Sequence, residues 1–276
     1  MSCALDELPG LADAPTTSGT VSRYREGDWS TALDELAEEV PVALEYNGVS
    51  HAVMMATPAD LEQFALGFSL SEGIIPSVAD FYGAEVQPGA AGVTVHIEIG
   101  AAAFAGLKER RRNMAGRTGC GLCGVDSLAQ VFRPLPRLAA SRVPSAAAIR
   151  AALLSAKALQ PMNGVTGAIH AALWCGADGL PRMAFEDVGR HNALDKLIGG
   201  LARSQLALDG GFALITSRAS VEMVQKAALC GIGVLVAMSA PTGLAVRVAR
   251  QCGMTLVAFA RGERFTVYTS QSEYTE

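Results

Sequence analysis

The sequence predicts an α/β protein with a smaller α+β unit in front of it, and three observations carry that expectation. In the C-terminal half, short apolar runs such as "FALITS", "VLVAMS" and "TLVAFA" alternate with stretches of about a dozen residues at helical period, the pattern of strands joined by helical crossovers. Ahead of them, "PVALEYNGVSHAVMMA" alternates apolar and polar residues on both sides of Asn47-Gly48, the dipeptide that most readily takes the positive φ angles of a tight hairpin turn. A chain of 276 residues, 50% apolar, has room for one principal domain and a smaller companion.

The elements follow in order. Residues 1–20, rich in Pro, Thr, Ser, Gly and acid without periodicity, are expected to be a mobile tail. An N-terminal α+β domain then spans 21–115. Within it, the hairpin is followed by "TPADLEQFALGFSLSEG", a helix expected to have Thr57 as cap, Pro58 at its first position and Gly73 as stop. "VTVHIEI" alternates as a strand and "AAAFAGLKERRRN" suits a helix. Residues 116–144 hold a glycine-rich loop, "GRTGCGLCGVD", and a linker, "RPLPRLAASRVPS". The α/β domain, 145–276, opens with a helix capped by Ser145 and a second hairpin, "AIHAALWC" and "LPRMAFE" around "GADG". Helices "GRHNALDKLIGGLA", "SVEMVQKAALCG" and "PTGLAVRVARQCG" alternate with the three apolar strands, and "RFTVYT" closes the chain. This order of hairpin, helix and alternating strands resembles the cytidine-deaminase-like fold, a three-layer sheet.

A net charge of -5 and a pI near 5.5 give no bulk attraction to nucleic acid, so an anionic partner must be held by local basic clusters. No run approaches the roughly 18 apolar residues a spanning helix needs, and the N-terminus lacks a basic start and an apolar core. A cytoplasmic protein without membrane partner is expected. Six cysteines with one close pair do not resemble a secreted disulfide framework.

In an open α/β sheet, ligands bind beyond the carboxyl ends of the strands, where helix N-termini present their N–H groups. Here that edge collects "EDVGRHN", "SRAS", "SAPT" and "ARGER", bringing Glu186, Asp187, Arg190, His191, Ser217, Arg218, Ser220, Ser239, Thr242, Arg261 and Arg264 to one rim. Guanidinium forks and helix N-termini suit a phosphate or pyrophosphate, so a nucleotide-like anion is expected there. The competing reading makes Ser217, Ser220 and Thr242 simple helix caps. A zinc deaminase would need H-x-E and P-C-x-x-C at these helix starts. The chain has "HNA" at 191–193 and "RASVE" at 218–222, so no metal site is expected.

Cys120 and Cys123 lack two further ligands for zinc, since Cys175, Cys230 and Cys252 are isolated in apolar patterns and read as inert core residues. Glycines on both sides expose the sulfur, and Arg110, Arg111, Arg112 and Arg117 favour the thiolate. Those features describe a carrier of sulfane sulfur; a structural or disulfide role is the alternative.

Together, "TGCGLCG", "VTGAIHAA", "EDVGRHNALDKLIG", "SVEMVQKAALCGI", "SAPTGLAV" and "GMTLVAFARGERFTVYT" resemble the FdhD-type formate dehydrogenase accessory sulfurtransferases, over about residues 40–270. The resemblance implies a sulfurtransferase that takes sulfur from a cysteine desulfurase as a cysteine persulfide. It implies transfer to the molybdenum bis(molybdopterin guanine dinucleotide) cofactor needed by formate dehydrogenase, bound as cargo, and a homodimer. By motif, the persulfide falls on Cys120 with Cys123 as second thiol. The cofactor stretch falls on Phe259, Ala260, Arg261, Gly262, Glu263 and Arg264, beside the rim residues Arg190, His191, Ser217 and Arg218. Thr166-Gly167-Ala168 stands where similar proteins have T-G-G, and Thr216-Ser217-Arg218 where they have S-G-R.

His191, opening a helix at the rim, is read as a ligand or proton-transfer residue or as a cap, and His170 as a strand residue facing a ligand. His51 and His96 read as ordinary strand residues. Asp195 and Lys196 are assigned to the rim or to a subunit interface. Two other function classes compete with the carrier: a thiol-disulfide regulator, and a deaminase or its zinc-independent relic binding a nucleotide.

Overall fold

A computed structural model of the chain describes residues 14–114, 134–204 and 206–271, side chains of 110–114 excepted. These residues form a mixed α/β protein of three sheets. Strands β1 (Thr16–Arg25) and β2 (Asp28–Ala37) make a two-stranded antiparallel ribbon. The expected tail therefore stops short of residue 20: Thr16–Thr20 pair with Leu33–Ala37. The Ser and Thr content that reads as loop is carried here by an exposed strand with no apolar alternation to betray it.

Strands β3 (Val40–Tyr46) and β4 (Val49–Ala56) are the expected hairpin, with Asn47 at φ 46 and Gly48 at φ 77. They join β5 (Phe81–Gly89) and β6 (Gly92–Ile99) in a sheet of order β4-β3-β6-β5. Strand β5 carries Pro88, which an edge strand tolerates and which masks it in the sequence. The side chain of Asn47 donates to Ile99 O (3.0 Å) and accepts from Ile99 N–H (2.9 Å), fastening the turn to the end of β6. Helices α1 (Leu61–Ser71) and α2 (Ala101–Met114) complete this unit, Phe64, Leu66 and Leu107 packing with Val42, Leu44 and Ile97.

Helix α1 begins later than expected. Asp60, not Thr57, is its N-cap residue, in left-handed conformation and without a side-chain cap bond. Thr57 is drawn away: its Oγ1 accepts from Val188 N–H (3.1 Å) and its N–H donates to Asp187 Oδ2 (3.1 Å).

The second half begins with α3 (Ala146–Ala158), capped as expected by Ser145 Oγ, which accepts from Ala148 N–H at 3.1 Å. A short helix, α4 (Pro161–Thr166), follows. Strands β7 (His170–Cys175), β8 (Pro181–Asp187), β9 (Phe212–Ile215), β10 (Val234–Ala237), β11 (Thr255–Arg261) and β12 (Arg264–Thr269) form a sheet of order β12-β11-β10-β9-β7-β8. Strands β9, β10 and β11 are parallel; the other pairings are antiparallel. Alternate residues feed two cores. One lies under α5 (Arg190–Arg203), α6 (Val221–Leu229) and α7 (Gly243–Cys252), with Ala213, Ile215, Leu235 and Leu256. The other lies under α3, with Leu214, Val234, Val236 and Val257.

The two halves meet where α1 lies on α5. A Cβ on Gly67 would collide with the main chain of Asp195 and Gly199, and one on Gly199 with that of Gln63. Glycine at both positions lets the helix backbones touch.

Candidate functional site

Loops after the parallel strands are stitched side by side at the carboxyl edge of the six-stranded sheet. Ala219 bridges Pro241, Thr242 N–H donates to Ala219 O (3.0 Å), and Phe259 N–H donates to Ser239 O (3.1 Å). Arg261 Nε donates to Met238 O at 2.9 Å. Antiparallel β7 begins at this edge and β8 ends there, with His170 opposite Asp187. The loops after β9, β10 and β11 therefore lie side by side at the expected edge, but not every residue assigned to the rim is exposed there.

The stretch "EDVGRHNALDK" is mostly a structural joint. Glu186 is buried and accepts from Met162 N–H (3.1 Å) and Asn163 N–H (2.8 Å), capping α4. Asp187 and Lys196 form a fully buried ion pair at 2.6 Å. Asp187 also accepts from Gly189 N–H and Asn192 Nδ2, while Lys196 donates to Thr57 O. Asn192 donates in turn to Met55 O at 2.8 Å. Asp195 accepts from Ser71 Oγ (2.6 Å) and from Lys226 Nζ (2.8 Å), which also meets Glu72 at 2.9 Å. Burial alone would push the Lys226 ammonium down, but Asp195 and Glu72 outweigh it and hold its pKa above the usual lysine value. Glu186, Asp187, Asp195 and Lys196 are thus neither rim ligands nor an exposed subunit contact. Their partners lie on α1, α4, α6 and the 55–57 segment, which spacing along one chain does not reveal.

At the rim, the N-termini of α5 and α6 lack a cap bond from their N-cap residues, and at α6 the first-turn Glu222 carboxylate accepts from its own N–H and from Ser220 instead. Thr242 caps α7 by accepting from Ala245 N–H (3.2 Å), as Ser145 caps α3. By contrast, Gly189 gives α5 no side-chain cap and Ser220 makes no cap bond for α6. The cap reading thus holds for Thr242 and not for Ser220. Ser217 is buried and donates to Arg218 O at 3.1 Å. Around these ends, Arg190 Nε and His191 Nε2 are buried and have no hydrogen-bond partner among the described residues. Buried polar atoms of that kind call for a partner beyond the described residues, water included. Burial, then Arg190 and Lys226, push the His191 imidazole down to about 4, against Glu222 and Glu72. Burial and Arg190 also lower His170. Both rings are therefore neutral at pH 7, leaving the positive charge of the site to arginine.

Phe259 has φ 51 and is 46% exposed, in an irregularity of the β11–β12 pairing between Ala258 and Arg261. A bulky residue in the left-handed region is strained, and such strain gathers at functional positions. Ala260 is buried, Gly262 takes the hairpin turn at φ 56, and Glu263 pairs with Arg150 on α3 at 3.3 Å. Of the expected "FARGER" stretch, Phe259, Arg261 and Arg264 are exposed, Arg261 reaching Met238 O at the rim, whereas Glu263 turns to α3. Neither Ala168 nor Ser217 adopts a positive φ, so the two glycine replacements carry no backbone strain; Gly167 supplies the left-handed turn that ends α4.

Cys120 and Cys123 lie outside the described residues, as does Arg117, and the side chains of Arg110, Arg111 and Arg112 do too. Burial pushes the thiols of Cys175 and Cys230 up to about 12 and raises that of Cys252. These three are inert at neutral pH. Among the described residues no three His, Cys, Asp or Glu side chains are placed to hold a metal ion.

The geometry defines a class: a mixed α/β protein whose six-stranded sheet carries exposed Arg218 and Arg261 at its carboxyl edge. The chain belongs to the FdhD/NarQ family, whose model matches residues 37–275 and so takes in Cys120 and Cys123. It is 53% identical over 260 residues to the sulfur carrier protein FdhD of Cupriavidus necator, covering 94% of this chain and 90% of that one. With the sulfur carrier protein FdhD of Bordetella petrii it shares 52% identity over 241 residues, 87% and 86% of the two chains. In fold it is similar to the crystal structure of a candidate formate dehydrogenase accessory protein from Desulfotalea psychrophila. That likeness has a TM-score of 0.71 at 24% identity, over 93% of this chain and 98% of the other.

The rim makes one prediction here. If the rim binds a nucleotide-like anion, replacing Arg218 or Arg261 by Ala removes a charge-assisted contact of about 1.5–3 kcal/mol, so guanosine diphosphate binding should weaken roughly 10- to 100-fold, with the melting temperature held in Arg218→Ala and slightly lowered in Arg261→Ala, which also loses its bond to Met238 O. Calorimetric titration of the two variants checks it.

Proposed function

We propose that this protein is a sulfur carrier required for formate dehydrogenase activity, acting as a sulfurtransferase in the cytoplasm. The observation that carries the reading is its near-half or greater identity, over almost the whole chain, to proteins named sulfur carrier protein FdhD. In this reading the Cys120 thiolate attacks the outer sulfur of a cysteine desulfurase persulfide, and the desulfurase thiolate leaves. The acceptor, the molybdenum bis(molybdopterin guanine dinucleotide) cofactor, then attacks the outer sulfur on Cys120. The S–S bond breaks and Cys120 departs as a thiolate, a departure that a low thiol pKa favours. Cys123 assists as second thiol.

The cargo's diphosphates suit the rim: Arg190, Arg218, Arg261 and Arg264 supply charge, and the N-terminus of α5, which has no side-chain cap, supplies N–H donors. Neutral His191 fits a hydrogen-bonding rather than a charge-pairing role there. The strand order, with antiparallel β7–β8 beside parallel β9, β10 and β11, supports the cytidine-deaminase-like reading of the second half. No helix among the described residues is long and apolar enough to cross a membrane. Formate dehydrogenase is the recipient of the sulfurated cofactor, and the carrier works as a homodimer.

The test is complementation. In a cell lacking its own carrier, this chain should restore formate dehydrogenase activity; full expression without any restored activity overturns the proposal.

A further inference from the structure

The β1–β2 ribbon lies outside the matched family region except for its final residue. Both strands are ten residues long, and beyond their mutual pairing the element they touch most is α4. One face is half-buried, with Val21, Arg23, Ala32 and Asp34. The register places Thr20, Ser22 and Tyr24 with Leu33, Thr31 and Trp29 on the opposite face, all exposed. Tyr24 is 58%, Trp29 72% and Leu33 75% exposed, and the Tyr24 and Trp29 rings lie 5.2 Å apart. A two-stranded ribbon is marginal by itself in water and needs a packed face.

We infer that this face is where a second copy of the chain docks. Its six central residues carry no charge, so no like charges meet at the centre of the face when it is laid on its own copy; Glu35, two residues beyond Leu33 on the same face, falls at the rim of that contact. An axis through the Ser22–Thr31 pair sets small side chains at the centre, where the sheets must approach. It carries the Tyr24–Trp29 pair of each copy onto Thr20–Leu33 of the other. Aromatic side chains bury about 150–250 Å² each; with Leu33 and the hydroxyl residues between, each copy offers on the order of 500 Å². Two copies together reach about 1,000 Å², the lower bound for a specific interface. The homodimer itself is part of the proposed function; the ribbon face as its contact rests on these exposures and this register.

Sedimentation velocity of the full chain across micromolar concentrations tests it. The expected result is a dimer that Thr31→Lys, which sets two like charges at the axis, converts to a folded monomer with an unchanged far-ultraviolet circular dichroism spectrum. Trp29→Ser should do the same, and dimerisation should shift Trp29 emission to the blue. A dimer that survives Thr31→Lys and Trp29→Ser uses another face and overturns this inference while the homodimer stands. A wild-type chain that stays monomeric overturns both.

Discussion

Replacing Lys226 by alanine is expected to destabilise the protein by about 3–5 kcal/mol, the cost of leaving a buried charge unpaired. Lys226 is the only cation within ion-pair distance of Asp195 among the described residues, and it also reaches Glu72 and Ser71. Without it the Asp195 carboxylate keeps the Ser71 hydroxyl in a site shut off from water. The loss falls on the seam between α1 and α5, where Gly67 and Gly199 leave no slack for repacking. At about 2–4 °C per kcal/mol for a chain of this size, the melting temperature should fall by roughly 6–20 °C. Lys226→Met should cost a similar amount, because it restores volume and not charge. The double variant Lys226→Met with Asp195→Leu should recover most of the loss, since a buried pair replaced by apolar groups is often neutral. Thermal and urea denaturation of the three variants check this; a single-variant loss below 1 kcal/mol would contradict the joint.

Replacing Cys120 by alanine is expected to abolish activation of formate dehydrogenase while leaving the fold and rim binding intact. The sulfur has one covalent station in the proposed cycle, and alanine removes it. Cys175, Cys230 and Cys252 cannot take over, because burial holds their thiols protonated. Cys123→Ala should lower activation without ending it, as befits a second thiol. The pair of measurements to compare is formate dehydrogenase activity and guanosine diphosphate affinity in each variant. Lost affinity in Cys120→Ala would mean that the cysteine serves the rim and not the sulfur.

Where local chemistry decides, the sequence was readable. Asn47-Gly48 marks its hairpin, Ser145 and Thr242 mark their helices, and the apolar alternation from β7 to β11 marks the large sheet, because each rests on contacts within a few residues. What was hidden depends on partners far along the chain. Thr57 looks like a helix cap and instead closes onto Asp187 and Val188. Glu186 looks like a rim ligand and caps α4, whose own sequence holds no acid for the task. The β1–β2 ribbon has only a half-buried face, where Arg23 and Asp34 stand beside Val21 and Ala32, so period-two apolar alternation is weak in it. At the site, arginines and helix starts were legible as a rim, but which helix ends remain uncapped was not: Ser220 and Thr242 read alike and behave differently.

The central claim is that Cys120 carries sulfur. Intact mass spectrometry after incubation with a cysteine desulfurase and cysteine tests it most directly. The wild-type chain should gain one sulfur atom, removed by a reducing thiol and absent from Cys120→Ala. A chain that gains no sulfur, or gains it equally in Cys120→Ala, would contradict it.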